Sequence, residues 1–233
     1  MLWQPRQGFI SGRGALDAAA TAAAFSITYV GSATNTTAGT SFSFNSQAIG
    51  TADATRIVVV GIADAVTAAI TVTGVTIAGN AATQATSAAS DSGGGALSDI
   101  WYLAVPTGTT ANIVVSVSSS QTRAAIVVYS VTNSAGGFSS ASNTASGPAV
   151  TTLGATATVP SGGGAIAVLN SHTSAAATTV TNGGNLTIDN NGTAFGNSAI
   201  GSGKNTTASG STTFTFNWTT AADATVSVIT FNP

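Results

Sequence analysis

Residues 56–62 read RIVVVGI, and this short apolar run indicates the fold class of the chain. β-branched side chains favour extended backbone, and an uninterrupted run of this kind is typical of a strand buried on both faces. Similar or alternating runs recur about every 10–15 residues, separated by Gly, Asn, Asp, Ser and Pro. They are FSITYV (25–30), SFSF (41–44), AAITVTGVTIAG (68–79), DIWYLAV (99–105), NIVVSVS (112–118), RAAIVVYSV (123–131), ATATV (155–159), GAIAVLN (164–170), NLTID (185–189), TTFTFNW (212–218) and ATVSVITF (224–231). The pattern predicts an all-β chain that forms an antiparallel β-sandwich of the jelly-roll kind.

Two polar stretches are too long for hairpin turns. Residues 81–96 contain three consecutive glycines, and residues 133–147 are rich in Ser, Asn and Ala. We expect both to be exposed loops, since long polar connections run over the surface. Whether they bind a glycan is left open by the sequence.

A phrase near the start of the β region is repeated near the end of the chain. NTTAGTSFSFN (35–45) is echoed by NTTASGSTTFTFN (205–217), and TADATRIVVVGI (51–62) by AADATVSVITF (221–231). The shared offset predicts that the hairpins at 25–62 and 195–231 occupy related positions. Chance repetition in a chain rich in Thr, Ala and Ser is the alternative. The expected organisation is an arm and linker at 1–24, followed by one β-sandwich domain at 25–233.

The composition disfavours several classes of protein. Charged residues make up only 5% of the chain and the net charge is −2. Five scattered basic residues are too few to neutralise phosphates, so we expect no nucleic-acid partner. The chain has no cysteine, which excludes disulfides and thiolate metal sites. No apolar run approaches the length of a membrane span, so we expect no membrane partner.

Candidate catalytic residues do not form a recognisable motif. His172 is the only histidine, and it stands in a polar stretch that we predict to be a surface loop. Asp53 and Asp223 recur in the phrase ADAT, where an aspartate before a strand is expected to bond turn amides. Trp218 is expected to pack in the core or at its rim, with a sugar-binding role as the alternative. We therefore expect no enzymatic activity, no cofactor and no metal site.

The N-terminal segment MLWQPRQGFISGRG (1–14) is unlike the rest of the chain. It shows no strand alternation, and its proline and glycines disfavour a helix. Large apolar residues and two of the five basic residues are concentrated here. We predict a non-β arm that docks on another protein through Trp3, Arg6, Phe9, Ile10 and Arg13. The alternative is that the arm folds back on its own sandwich.

Four segments resemble virion proteins of tailed bacteriophages. They are GTADATRIVVVGI (50–62), VTIAGNAAT (75–83), IWYLAVPTGTTANIVVSVS (100–118) and AAIVVYSV (124–131). The resemblance implies a non-enzymatic structural protein, assembled in the host cytoplasm and exposed on the exterior of the particle. The first expectation is a homo-oligomeric capsid decoration (cement) protein that binds the major capsid protein and stabilises the head shell. The alternatives are a tail or tail-fibre component that binds the host surface and, third, a polysaccharide-degrading enzyme.

Overall fold

Antiparallel strands make up the whole regular structure of the part of the chain that can be described. The computed structural model of the chain describes residues 23–65, 70–89, 95–172 and 179–233. Within these ranges there is no helix, and every strand pairing is antiparallel. The all-β prediction is confirmed. The described ranges accordingly contain no helix long and apolar enough to cross a membrane. The predicted arm at 1–14 lies outside the described residues.

The first half of the chain forms one β-sandwich. Its strands are β1 (Ser26–Asn35), β2 (Gly39–Ala48), β3 (Ile57–Ala65), β4 (Val72–Ile77), β5 (Asn80–Ala81), β6 (Thr83–Ala89), β7 (Ala96–Ala104), β8 (Thr110–Gln121) and β9 (Ala124–Thr132). An inner sheet has the order β1-β9-β3-β7-β6, and an outer sheet has the order β2-β8-β4-β5. The apolar run of β3 lies at the centre of the inner sheet. Its side chains Val58, Val60 and Ile62 face the outer sheet, whose Phe42 and Phe44 belong to the same core.

The second half forms another sandwich, in which two very long strands each pass through both sheets. Its strands are β10 (Gly136–Val159), β11 (Gly164–His172), β12 (Val180–Gly184), β13 (Thr187–Phe195), β14 (Ser198–Asn205) and β15 (Gly210–Asn232). The pairing of β10 with β15 breaks its register between Ala145 and Val150. We call residues 136–145 the inner leg and residues 152–159 the outer leg of β10. Likewise, residues 222–232 are the inner leg and residues 210–218 the outer leg of β15.

The two sandwiches have the same strand order. The inner sheet of the second half runs from the inner leg of β10 through the inner leg of β15, β11 and β14 to β13. Its outer sheet contains the outer leg of β10, the outer leg of β15 and β12. Taken in chain order, the inner strands β1, β3, β6, β7 and β9 correspond to the inner leg of β10, β11, β13, β14 and the inner leg of β15. The outer strands β2, β4 and β8 correspond to the outer leg of β10, β12 and the outer leg of β15. Only the two-residue β5 has no counterpart among the described strands. Ile57 and Gly164, the first residues of β3 and β11, are 107 positions apart.

The two inner sheets pack face to face, so the molecule has four layers of β-sheet. Val59, Val127 and Ile100 of the first inner sheet share a core with Ile166 and Val168 of the second. The edge strand β1 meets β13, while β6 at the opposite edge meets β10. Because β1 corresponds to the inner leg of β10 and β6 corresponds to β13, these contacts are equivalent. The packing therefore has an approximate two-fold axis, as in a symmetric dimer whose halves are joined in one chain.

Buried hydrogen bonds connect the inner sheets across this apolar interface. The Asn170 side-chain amide donates to the backbone carbonyls of Asp64 at 2.7 Å and Leu97 at 2.9 Å. The Tyr129 hydroxyl donates to the Ser202 hydroxyl at 2.8 Å. Because a buried polar group is costly unless it is paired, these contacts favour one relative placement of the sheets over others.

The expectation of two long exposed loops was wrong. Residues 83–89 of the first stretch form β6, and residues 136–145 of the second form the inner leg of β10. Both are edge strands of the inner sheets and pair with a neighbour on one side only. An edge strand can be polar on much of its surface, so small polar residues do not identify a loop at such a position.

The repeated phrase has the same local structure in both copies. Each copy runs from an inner strand to an outer strand, β1 to β2 and β14 to β15. The side chains of Asn35 and Asn205 accept hydrogen bonds from the amides of Thr37 and Thr207, each at 2.9 Å. The two copies nevertheless lie at different places in the two sandwiches, because β14 corresponds to β7 and not to β1. The phrase repeats after about 170 residues, whereas equivalent strands lie about 100–110 residues apart, for example 107 from Ile57 to Gly164 and 102 from Ala96 to Ser198.

Candidate functional sites

The residues predicted to bind a partner all belong to the N-terminal arm. Trp3, Arg6, Phe9, Ile10 and Arg13 lie outside the described residues. Their role stays a prediction.

A serine, a histidine and an aspartate lie side by side in the second inner sheet. His172 is the last residue of β11, opposite Ser198 of β14 and Asp223 of β15. Residues directly opposite each other in antiparallel strands project from the same face, so these are the residue types of a hydrolytic triad in one row. However, Ser198 is fully buried. Its hydroxyl has no hydrogen-bond partner, so it is not bonded to His172. A nucleophile needs both access to substrate and a bond to its base, so the row lacks the geometry for nucleophilic catalysis.

This row corrects two predictions about loops. His172 was expected in a surface loop, but it is half-buried within a strand. Asp223 was expected in a turn, but it is paired within the ladder of β15. For Asp53 the turn prediction is confirmed, since its carboxylate accepts bonds from the amide and hydroxyl of Thr55 at 2.7 and 2.6 Å. Both bonds lower the pKa of the Asp53 carboxyl, and the bond from the Thr55 hydroxyl has the larger effect.

Two further described carboxylates, those of Asp99 and Asp189, are held by hydrogen bonds or an ion pair within the fold. Asp99 is buried in the first sandwich, where its carboxylate accepts a hydrogen bond from Gln84 at 2.8 Å. Burial raises the pKa of Asp99 to about 7, against the opposing effect of its hydrogen bonds. Asp189 forms an ion pair with Lys204 at 3.2 Å. Within the described ranges, no group of three or more His, Asp or Glu side chains could hold a metal ion.

Arg56 is the most unusual charged residue of the described part. It is fully buried directly before β3 and donates four hydrogen bonds to backbone carbonyls. They join Nε to Val105 at 2.7 Å, Nη1 to Gly50 at 2.7 Å, and Nη2 to Thr107 at 2.6 Å and Gly108 at 2.9 Å. Burial lowers the pKa of Arg56, and Asp53 opposes this, but a guanidinium keeps its proton in proteins. The side chain therefore clamps the 105–108 loop to the turn before β3.

An open groove of about 560 Å³ lies at one end of the first outer sheet. Its lining includes Ser46 and Ala78, two non-glycine residues with φ of 52° and 53°. Asn112 holds both, because its side-chain oxygen accepts from the amide of Ser46 at 2.9 Å and its backbone carbonyl from that of Ala78 at 3.0 Å. The lining is part polar and part apolar, and it carries neither a charge nor an aromatic ring. A ligand in this groove would find no ion pair and none of the ring stacking typical of sugar sites.

The aromatic residue considered for sugar binding is part of a core. Trp218 is 4% exposed and packs between the sheets of the second sandwich with Phe214 and Phe216. The core interpretation of Trp218 is confirmed. The exposed face of that outer sheet consists of hydroxyl residues, including Thr152, Thr156 and Thr213, with Thr156 and Thr213 joined at 2.7 Å.

Comparison with known proteins adds no functional assignment. No protein-family model matches the chain, and no curated protein matches it. Sequence reasoning missed the Arg56 clamp and the groove around Asn112. A weak signal for the clamp was available, since Arg56 stands directly before the most apolar strand and follows a turn.

Proposed function

We propose that the chain is a structural protein of a tailed-phage virion, namely a capsid decoration protein that binds the major capsid protein and stabilises the shell from outside. The observation that carries the proposal is the scarcity of surface charge. Charged residues are 5% of the chain, and of the described ones Arg56, Asp64 and Asp99 are buried while Lys204 is paired with Asp189. A surface of this kind favours association, which suits a protein that acts in a permanent assembly.

The four-layer architecture supports the same proposal. A stabilising protein has to transmit force between its contacts without deforming, and cores on both faces of each inner sheet provide such stiffness. The resemblance of residues 50–62 and 100–118 to phage virion proteins also supports a structural role in a virion. Attachment is assigned to the arm through Trp3, Arg6, Phe9, Ile10 and Arg13, with several arms of a homo-oligomer acting together.

A tail or tail-fibre role is the second candidate. The uncharged groove held by Asn112 favours it, because its Ser, Thr and Asn side chains could hydrogen-bond the hydroxyl groups of a host-surface glycan. A polysaccharide-degrading enzyme is the least supported candidate. Asp64 and Asp99 are buried, Asp189 is paired with Lys204, and the Ser198 hydroxyl is inaccessible.

The decisive experiment is co-sedimentation of the purified chain with phage heads that lack it, followed by imaging of the decorated particles. Full-length protein should saturate the heads at a copy number in the hundreds. A variant that starts at Ala15 should melt like the full chain yet fail to co-sediment. Arg123→Met, a change outside the arm, serves as the control that should still bind. Localisation of a few copies on the tail would overturn the decoration proposal in favour of the second candidate.

A further inference from the structure

Two asparagine–glycine pairs occur in the chain, and both lie in the second sandwich. They are Asn182–Gly183 in β12 and Asn191–Gly192 in β13. An asparagine before a glycine is chemically reactive, because glycine has no side chain to shield its amide nitrogen. Attack of that nitrogen on the side-chain carbonyl carbon of the asparagine is the first step of deamidation. Whether a pair reacts in the folded chain depends on the contacts around it.

The fold requires a glycine in both pairs. A Cβ atom at Gly183 would lie 2.8 Å from side-chain atoms of Thr215 and Asn217 in β15, so no larger residue fits there. Gly192 has φ of 112°, a backbone conformation that favours glycine. Both glycines also stand where the strand register shifts, between Asn182 and Gly184 and between Asn191 and Thr193. Packing and backbone geometry therefore retain both reactive pairs.

The Asn182 side chain is folded back over the peptide bond that would attack it. Its Oδ1 accepts a hydrogen bond from the amide of Gly184 at 2.7 Å. The ring closed by this bond includes the Gly183 nitrogen, so the side-chain carbonyl carbon lies beside that nitrogen. The same bond would stabilise the negative charge that develops on Oδ1 during the attack. Asn182 and Gly183 are both exposed, so hydroxide can reach them.

The second pair has the opposite arrangement. The amide of Gly192 donates a hydrogen bond to Oδ1 of Asn190 at 3.0 Å, and the amide of Thr193 donates to the same oxygen at 3.0 Å. Asn190 is buried, so this acceptor is shielded from competing water. The Gly192 nitrogen has to lose its proton before it can attack Asn191, and the bond to Asn190 holds that proton in place.

We propose that Asn182 is a site of spontaneous deamidation in the folded chain and that Asn191 is protected. The Gly183 nitrogen gives its proton to hydroxide and forms a bond to Cγ of Asn182. The bond from Cγ to the side-chain nitrogen breaks, and the nitrogen leaves as ammonia after taking a proton from water. A second water molecule opens the cyclic imide at either carbonyl, which gives aspartate or isoaspartate. The step needs no oxidant and no cofactor.

The product changes a strand that carries no charge. The five residues of β12 are VTNGG, and deamidation places a carboxylate among them. Isoaspartate also adds a methylene group to the backbone, which disturbs the pairing of β12 with β15. Val180, at the start of β12, is 1% exposed in the core of the second sandwich, so the change reaches that core. This inference does not rest on the proposed function, because it concerns the purified chain alone.

The test is incubation of the purified full-length chain at mildly alkaline pH, below its melting temperature, followed by chymotryptic digestion and mass spectrometry. Cleavage after Leu186 separates the two asparagines. In the folded chain Asn182 should react about 5- to 10-fold faster than Asn191, as expected for one hydrogen bond to the transition state. In urea sufficient to unfold the chain the two rates should converge, because each asparagine is followed by glycine.

Two exposed-site variants provide matched controls. Asn182→Gln should remove most of the acidic form that ion-exchange chromatography separates after incubation, whereas Asn191→Gln should remove little of it. Thermal melting should show that both variants are folded. Equal rates at the two sites in the folded chain, or a faster reaction at Asn191, would overturn the proposal. So would a folded chain in which neither asparagine reacts while both react in urea.

Discussion

Replacement of Arg56 by methionine should destabilise the protein more than any other removal of a described charge. The variant keeps an apolar side chain of similar length in the buried position but leaves four carbonyl oxygens without their donor. Hydrogen bonds to a charged group contribute about 1.5–3 kcal/mol each. Only the bond to Val105 is fully buried, so water can replace the donor at the other three carbonyls. We therefore expect a loss of about 3–5 kcal/mol in the free energy of unfolding.

The assay is equilibrium urea unfolding, supported by thermal melting. For a chain of this size the loss corresponds to a fall of roughly 6–20 °C in melting temperature. Arg56→Lys should lose about half as much, because an ammonium has three donors on one atom and cannot reach all four carbonyls. Arg123→Met is the matched control, since Arg123 is half-exposed and its bonds to Thr122 and Phe195 are long, at 3.2 and 3.5 Å. If both methionine variants lose the same amount, the clamp does not stabilise the fold.

Three further predictions concern other residues of the interior. Burial raises the pKa of Asp99 to about 7, so between about pH 4 and pH 7 the folded state binds a proton that the unfolded state has released. Stability measured by urea unfolding should therefore fall as the pH rises through this window, and Asp99→Asn should remove the fall, with a gain of up to about 4 kcal/mol at pH 8. Gly61→Ala should destabilise the packing of the inner sheets by about 1–3 kcal/mol, because its added methyl group would meet side chains of Val127 and Val168. Gly74→Ala, which meets no atom within 4 Å, should change the melting temperature little in the same experiment. His172→Ala should leave particle assembly and infectivity unchanged, and a large loss of infectivity with the fold intact would restore the enzyme hypothesis.

Local sequence pattern was sufficient for the fold class. Strand alternation has a period of two residues, and it is visible in any segment where one face is apolar. The runs at 56–62, 112–118 and 164–170 are strands in the structure. The turn at Asp53 depends on Thr55, two positions along the chain, and Trp218 continues the alternating apolar face of Phe214 and Phe216, so both were visible in the local pattern.

Local pattern failed where a strand has little apolar character of its own. β6 and the inner leg of β10 are built from small and polar residues, and they are strands because a longer strand beside them supplies the hydrogen-bonding ladder. The same reasoning applies to His172, whose place in a strand depends on Ser198 and Asp223 in the neighbouring strands. Such strands are specified by distant partners and leave no periodic signal.

The amino-acid sequence by itself determined that this protein is all-β and nearly uncharged, because alternation and composition are properties of the chain read locally. Only the tertiary structure decided that there are two sandwiches of equal strand order, packed through their inner sheets about an approximate two-fold axis. Equivalent strands of the two sandwiches start about 100–110 residues apart, as Ile57 and Gly164 do at 107, and the repeated phrase does not show this spacing. Strand order and the burial of Arg56 both arise from contacts between segments far apart in sequence. Those pairings are set by which faces can be buried together, and this is decided only when the whole chain has folded.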